Sequence, residues 1–528
     1  MYYFLPSWYR ETSMAEHEPF SAVEERWYRN VRRCEFDDTV HQARMFLASG
    51  ESPVLLSLSY APTLRHTLHR LGIDRMEVIS VFDRMQNVTE KNAAVFSYRD
   101  LDWPEGIGFE YTPFCVIGYL KGKRFVRVEF GEEGNFLFAD YYAEDGDVAR
   151  CDVYDDRGFL SSVLEYENGV PARRHYLDPA GSLRFSHALS SGAVTVAEGA
   201  RDAFRKKTYA SMEELLREMI GRIMQEMTDE DLLVIASDHR HNHLFTDYAK
   251  HVQMAFSYYG ERFDPGNEQA LVKDAACARF LVTDTEDNAR RIRTLCGYDK
   301  PVYDLSPFDT RLSLGQSQRV REMKILLAME HLDEPRRSSA LKQILLYMQE
   351  NRNTQLLLLA RSGETYTEAT LQALTDEVMN ANGIGPFTIA GASAESPCIA
   401  ENETGVVTPD EKRPRVMIRF YLTEHDLIRI LHDVRLIVDV SDQPDLYLQI
   451  AGISAGIPQI NSHFTRYVEH LRNGYIIGNI AHLSEGLSWY LSDLAHWNEA
   501  LVYCVQQIDR FAHGSIVEKW KGILSQYG

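Results

Sequence analysis

The chain has 528 residues, with 77 acidic and 56 basic side chains, a formal charge of −21, and 45% hydrophobic and 25% charged residues. This is ordinary globular composition, long enough for about three structural units with cores of their own. The acidic excess argues against a protein that lives on nucleic acid, which needs dense Lys and Arg to displace counterions, and disfavours broad adhesion to an anionic membrane. Seven cysteines scattered without one C-x-x-C argue against a disulfide framework or a zinc ribbon and fit a reducing cytoplasm.

The amino terminus, Met1-Tyr-Tyr-Phe-Leu-Pro-Ser-Trp-Tyr9, is apolar but has no basic flank and runs into Arg10 and Glu11. It reads as a buried first strand, not a signal peptide. No apolar run approaches the roughly 18 to 20 residues that span a bilayer; the strongest, Gln355 to Ala360, is strand-sized, so a soluble protein is expected. Up to about Asn92, strand-like runs (Tyr2 to Leu5, Val54 to Leu58, Val78 to Phe82) alternate with helical stretches (Ala22 to Leu47, Thr63 to Leu71), the pattern of a parallel sheet flanked by helices. From about Phe114 to Val196, short alternating β runs are separated by polar turns such as Lys121-Gly-Lys, Glu132-Glu-Gly-Asn, Glu144-Asp-Gly-Asp and Asp178-Pro-Ala-Gly. A turn about every eleven or twelve residues predicts a β-meander paired in sequence order and inserted into the first α/β domain, in preference to a separate β-sandwich.

After Gly199 the α/β texture resumes, with a helix over Met212 to Met227 and strands at Leu232 to Ala236 and Phe280 to Thr283. A second α/β run follows, with strands near Ile325 to Ala328, Gln355 to Ala360, Arg415 to Phe420, Leu436 to Val440 and Pro458 to Ile460, and a polar loop over Gly391 to Pro414. The expected fold is α/β and GT-B-like: two doubly wound, Rossmann-type domains facing a cleft, with a β-meander inserted in the first. The expected boundaries are 1–107 and 201–311 for the first domain, 108–200 for the insert and 312–528 for the second domain, with a last helix that could cross back to the first. Ligands of such sheets lie at the strand carboxyl ends.

The segment from Arg435 to Ile460 reads as strand, tight turn, helix and strand, and contains Gln443-Pro-Asp445 and Ala451 through Gly456-Ile-Pro458. It resembles the donor-sugar site of retaining GT-B glycosyltransferases, which carry two glutamates spaced E-x7-E before a Gly-x-Pro-x-Ile strand. The resemblance implies one carboxylate at the helix start beside the transferring sugar and a second further along that holds the nucleotide ribose. Aligned on Gly456, those positions hold Gln443 and Ala451, and neither ionises. An amide can bond a sugar hydroxyl but cannot stabilise a developing oxocarbenium ion by charge, and Ala451 cannot grip a ribose. The degenerate donor positions are therefore Gln443, Asp445, Ala451 and Gly456, with residual sugar binding as their remaining use and no catalytic residue, cofactor or metal expected. Such enzymes also clamp the donor diphosphate with a basic pair after the first strand of this domain; here the strand leads into Glu330, Asp333 and Glu334, with Arg336 and Arg337 nearby. A doubly wound domain with no sugar-handling ancestry is the plainer alternative.

The resemblance continues through Tyr467 to Asn479, and the meander is similar to the extension of the transferase pair that initiates O-glycosylation of serine-rich-repeat adhesins. With the opening Tyr2 to Tyr9, the length and the Gln443 to Ile450 block, the chain resembles the family of the first accessory secretory (Asp) protein, a transferase-like component of the bacterial accessory Sec system. That resemblance implies a non-catalytic subunit required for export of a glycosylated serine-rich-repeat adhesin. Its implied partners are the second and third Asp proteins and the accessory SecA ATPase, in the cytoplasm or peripheral to the membrane through the translocase. The competing expectation is an active retaining GT-B glycosyltransferase using a sugar nucleotide, with Asp442 or Asp445 substituting for the missing carboxylate; a carbohydrate-binding protein outside secretion is a third, weaker one.

Three further signals have bland readings beside the sharp ones. Gly452-Ile-Ser454-Ala-Gly456 matches G-x-S-x-G, but the serine falls at the end of a helix where a nucleophile elbow opens one, so close packing of small residues explains it better. Asp238-His-Arg-His241-Asn-His243, if extended, places three imidazoles on one side as a metal site, although a polar loop is the usual explanation. Tyr141, Tyr142, Tyr154 and Tyr176 of the meander could stack on sugars, but core or cross-strand packing is the better expectation.

Overall fold

The computed structural model describes residues 1–10, 18–22, 34–89, 93–262, 268–297, 299–362, 366–391 and 414–527. The chain forms two compact units, one of Met1–Cys34 with Asp38–Leu305 and one of Glu35–Asp37 with Ser306–Tyr527.

The first unit holds a seven-stranded parallel sheet in the spatial order Val302–Asp304, Phe280–Thr283, Gln253–Tyr258, Leu232–Ala236, Tyr2–Leu5, Val54–Ser57 and Glu77–Ser80. Its central strands are apolar on both faces because helices cover both sides, as a parallel sheet requires. Between Glu77–Ser80 and the helix Met212–Glu226 lies a ten-stranded antiparallel sheet, from Gly108–Tyr111 to Thr208–Tyr209, paired strictly in sequence order. Its turns close on glycines at positive φ, such as Gly146 and Gly158; at Gly158 a Cβ would also stand 2.4 Å from the carbonyl oxygen of Ala94.

The insert shares its core with the α/β part. Tyr176 stacks on Phe185 at 4.4 Å and meets Tyr60 edge-on at 5.1 Å. Tyr60 Oη donates to Ser162 Oγ at 2.8 Å, and Gln86 Nε2 donates to the carbonyl of Leu177 at 2.7 Å. Tyr154 stacks on Phe136 at 4.2 Å, and Tyr141 packs beside Phe125 and Trp103. Tyr141, Tyr154 and Tyr176 thus pack into the protein, as aromatics in strands do.

Two elements differ from the sequence expectation. The run Val78 to Phe82 stops being a strand at Ser80, whose Oγ accepts the N–H of Asp83 at 3.1 Å and caps the helix Val81–Gln86. The helix expected over Ala22 to Leu47 is a 3₁₀ turn at Cys34–Phe36 followed by a helix at Asp38–Ala48; residues 23–33 lie outside the described residues.

The second unit has its own seven-stranded parallel sheet, ordered Ile389–Ala390, Val416–Tyr421, Thr354–Arg361, Met323–Ala328, Val434–Asp439, Gln459–Asn461 and Gly474–Ile476. The strand order reverses between Met323–Ala328 and Val434–Asp439, which makes the carboxyl ends of those two strands the switch point of the sheet. The C-terminal helices Leu494–Arg510 and His513–Leu524 belong to this unit, where Trp497, Cys504, Val517 and Trp520 are buried. Of the loop expected over Gly391 to Pro414, 392–413 lie outside the described residues.

Candidate functional site

The switch point of the second sheet is built around Asp439. This last residue of its strand is buried, and its carboxylate accepts from Ser441 Oγ at 2.6 Å, from the Ser441 N–H at 3.2 Å and from the Asp445 N–H at 2.8 Å. Burial pushes the Asp439 carboxyl above the usual range against the pull of those donors. The turn 440–445 is therefore wound about one carboxylate, which leaves Asp442 and Gln443 on the outside.

The helix Leu446–Ala455 begins at Asp445, whose Oδ1 accepts the Leu448 N–H at 3.0 Å. The opposite oxygen accepts from Tyr421 Oη at 3.4 Å, and Tyr421 in turn accepts from Arg361 Nε at 3.2 Å. Asp445 is thus an N-cap with a second partner. All ten helix residues are buried, Ala451 among them at 8% exposure. The helix stops at Gly456, which has φ 71° and receives the side chain of Leu501: a Cβ there would lie 2.2 Å from Leu501 Cδ1.

Of the four donor positions read from the sequence, Gln443 and Asp445 lie together at the amino end of the helix. Ala451 is in its interior, and Gly456 at its far end, about 15 Å of helix rise away. Asp442 forms an ion pair with Arg336 at 2.5 Å, and His463 Nε2 stands 3.6 Å from the same oxygen. Arg337 donates to the carbonyl of Leu332 at 3.1 Å and lies over Tyr366, while Glu330 accepts the Arg361 N–H at 2.8 Å. The two arginines that follow the first strand of this unit are accordingly engaged by a carboxylate, a carbonyl and an aromatic ring. Asp439, Tyr421 and Arg361 were not singled out from the sequence. The Asp/Ser-rich turn after an apolar strand was a signal for Asp439, whereas nothing local marks the other two.

The remaining candidates resolve separately. Ser454 sits in the last turn of its helix, donates to the Ile450 carbonyl at 2.9 Å and accepts the Arg311 N–H at 3.1 Å, the position of a packing serine. The Asp238 to His243 segment is not extended: the chain turns after Ser237 and enters the helix Asn242–Phe245, so its imidazoles diverge. His239 is exposed, and His243 stands 3.0 Å from Glu213. His241 is wholly buried, with Nε2 2.8 Å from the Ala236 carbonyl and Nδ1 2.8 Å from Tyr9 Oη. Since a carbonyl only accepts, Nε2 carries the proton and Tyr9 donates to Nδ1; burial pushes this imidazole down to about 4, so it is neutral. Asp238 takes the Arg240 guanidinium through two bonds of 2.9 and 2.8 Å and the Ser7 hydroxyl at 2.5 Å. Burial opposes its charge, but these partners hold its carboxyl below the usual range. Among the described residues no group of His, Cys, Asp and Glu could hold a metal ion.

Comparison with known proteins supplies what the site cannot. The family model for the first accessory secretory (Asp) protein of the accessory Sec system matches residues 1–526. The corresponding accessory Sec system protein of Streptococcus gordonii is 34% identical over 536 residues, covering 100% of this chain and 99% of that protein. A crystal structure of accessory secretory proteins 1, 2 and 3 in Streptococcus pneumoniae contains a chain similar to this one at 31% identity and a TM-score of 0.80, covering 100% of this chain and 99% of that one. The fold alone is shared with the pneumococcal O-GlcNAc transferase GtfA in complex with UDP and GlcNAc, at 12% identity and a TM-score of 0.71, over 99% of this chain and 98% of that one. The GT-B-like architecture expected from the sequence is thereby established.

Proposed function

Because this chain belongs to the family of the first accessory secretory (Asp) protein of the accessory Sec system, we propose that it is a non-catalytic subunit that uses a glycosyltransferase fold as an assembly and recognition scaffold. The observation that carries this reading is the state of the donor edge. Gln443 and Ala451 stand where charge would be needed, Asp445 caps a helix, and Asp442 is paired with Arg336. A preorganised charge aimed at the developing oxocarbenium ion is the largest single contribution to such a transfer. Asp445 commits one carboxylate oxygen to the helix cap and the other to the Tyr421 hydroxyl.

The partners proposed for this chain are the second and third Asp proteins, by likeness to the relative crystallised with both, together with the accessory SecA ATPase. Its cargo is a glycosylated serine-rich-repeat adhesin, and the place of action is the cytoplasm, peripheral to the membrane through the translocase. Among the described residues no helix is long and apolar enough to cross a membrane. Deleting the protein should leave the adhesin glycosylated inside the cell and block its export, and pull-down of the tagged full chain should recover both Asp partners and the ATPase. Normal secretion in the deletion strain overturns the export role. Turnover of a sugar nucleotide by the purified chain would instead favour the transferase reading, with Asp442 or Asp445 as the substituting group.

A further inference from the structure

The amino-terminal part of the chain contributes three residues, Glu35–Asp37, to the second unit. Phe36, 9% exposed, stands edge-on to Tyr421 and Tyr447, with ring centroids 5.7 and 4.9 Å away at interplanar angles of 88° and 77°. The Arg361 guanidinium lies over its ring, 5.0 Å from the centroid. Beside it, Glu35 Oε2 accepts the N–H of Glu424 at 2.9 Å, at the start of the helix Glu424–Leu431.

The walls of this slot come from the ends of the parallel strands Thr354–Arg361 and Val416–Tyr421 and from the first turn of Leu446–Ala455. The slot therefore lies on the carboxyl edge of the sheet, where ligands of doubly wound domains sit. Two phenol rings at right angles and a guanidinium over the face make a setting for one planar ring, through edge-to-face and cation–π contacts. On the adjoining strand end, Arg336 and Arg337 occupy the first turn of the helix Glu334–Glu350.

We infer that Phe36, held by Glu35, is the resident occupant of this slot and shuts out the planar base of a nucleoside diphosphate whose phosphates would lie toward Arg336. The inference deepens the proposed function, on which it rests: a chain that bound a donor here would need the slot open. No covalent step is involved; the phenyl ring and the base compete for the same three side chains.

The test is calorimetric titration of the full chain with UDP, comparing wild type with Phe36→Ala, Phe36→Trp and Glu35→Ala, each checked by its melting transition. Wild type and Phe36→Trp should show no saturable binding at millimolar UDP, Phe36→Ala should bind at least about tenfold more tightly, and Glu35→Ala should gain part of that affinity. Glu35→Ala keeps the aromatic packing and decides the matter if Phe36→Ala does not fold. Saturable binding by wild type, or no gain in any folded variant, overturns the plug. The latter leaves the proposed function standing, whereas sugar-nucleotide hydrolysis by any of these proteins would count against that function itself.

Discussion

Arg174 and Glu18 meet as a bidentate pair inside the first unit, Nε to Oε1 at 2.5 Å and Nη2 to Oε2 at 2.9 Å, with side chains 4% and 3% exposed. Arg174 comes from the insert strand Val170–Leu177, and its Nη1 also donates to Ser162 Oγ at 2.9 Å. Glu18 lies just before Phe20, whose carbonyl accepts the Tyr60 N–H at 2.7 Å. The pair thus ties the antiparallel insert to a segment bound to the chain just beyond the parallel strand Val54–Ser57. Removing one partner strands a buried charge, so Arg174→Met should cost about 3–5 kcal/mol in urea unfolding. The double variant Arg174→Met with Glu18→Leu should recover a large part of that loss. Burial alone would raise the Glu18 carboxyl, but Arg174 draws it below the usual range. Its contribution is therefore present above the ordinary carboxylate pKa and disappears as pH falls through the lowered one. Equal midpoints for the single and double variants would contradict the tie.

The insert was legible because its signals are local: glycines at regular turns and alternating strands fix neighbour pairing without long-range information. The strand Leu232–Ala236 was equally plain, since five consecutive apolar residues in a parallel sheet are buried on both faces. Val78 to Phe82 misled because the apolar run continues through a strand-to-helix junction that only the Ser80 cap marks. In the second unit, the turn and helix between Asp439 and Gly456 were readable. The entry of Phe36 was not, because its partners Tyr421 and Tyr447 lie hundreds of residues later and nothing in Cys34-Glu-Phe-Asp records them.

A pH dependence is built into the contact between the helix Leu64–Arg70 and the insert. Asp156 Oδ2 accepts the His66 N–H at 2.7 Å, and the His66 ring stands 3.4 Å from Glu132 and 3.1 Å from Glu133. Burial, then the neighbouring Asp155, push the Asp156 carboxyl up to about 7. The hydrogen bond to Glu132 leads in raising the His66 imidazole above 6.5. Both groups hold protons more tightly in the folded state, so their contributions are complete at low pH and are lost as pH rises through the folded pKa values. For Asp156 the loss runs from about pH 4 to 7 and beyond, and for His66 it begins above about 6.5. The melting temperature should therefore fall between about pH 6 and pH 8. Asp156→Asn keeps the acceptor oxygen without the charge and should flatten that fall; an unchanged profile would assign the dependence to other groups.

Gly456 is one of the donor positions expected from the sequence, and its geometry gives it a packing role of its own. Gly456→Ala meets both a left-handed backbone and Leu501, at 2.2 Å from the ideal Cβ. Gly383 ends the helix Glu368–Asn382 in the same conformation, φ 63°, with nothing within 4 Å. The backbone term is shared, about 1–2 kcal/mol, and overpacking adds about 1–3 kcal/mol at Gly456 alone. Chemical denaturation should show Gly456→Ala as the more destabilised of the two, and equal losses would mean that Leu501 moves aside freely.

Placing a charge at Gln443 tests the proposed non-catalytic reading. Gln443 is exposed on a turn whose shape is set by Asp439, so Gln443→Glu should fold normally. It should nevertheless leave sugar-nucleotide hydrolysis at the buffer rate, because Arg336 remains paired with Asp442 and Phe36 still fills the slot between Tyr421 and Tyr447. Ala451→Glu is a different case. The side chain would enter a helix buried along its whole length, and an unpaired carboxylate there should cost about 2–4 kcal/mol or titrate to its neutral form. The second carboxylate is thus barred by packing, and the first would meet an occupied slot. Turnover by Gln443→Glu alone would show that one missing charge separates this scaffold from a working transferase and that neither the Arg336 pairing nor the Phe36 ring obstructs the donor.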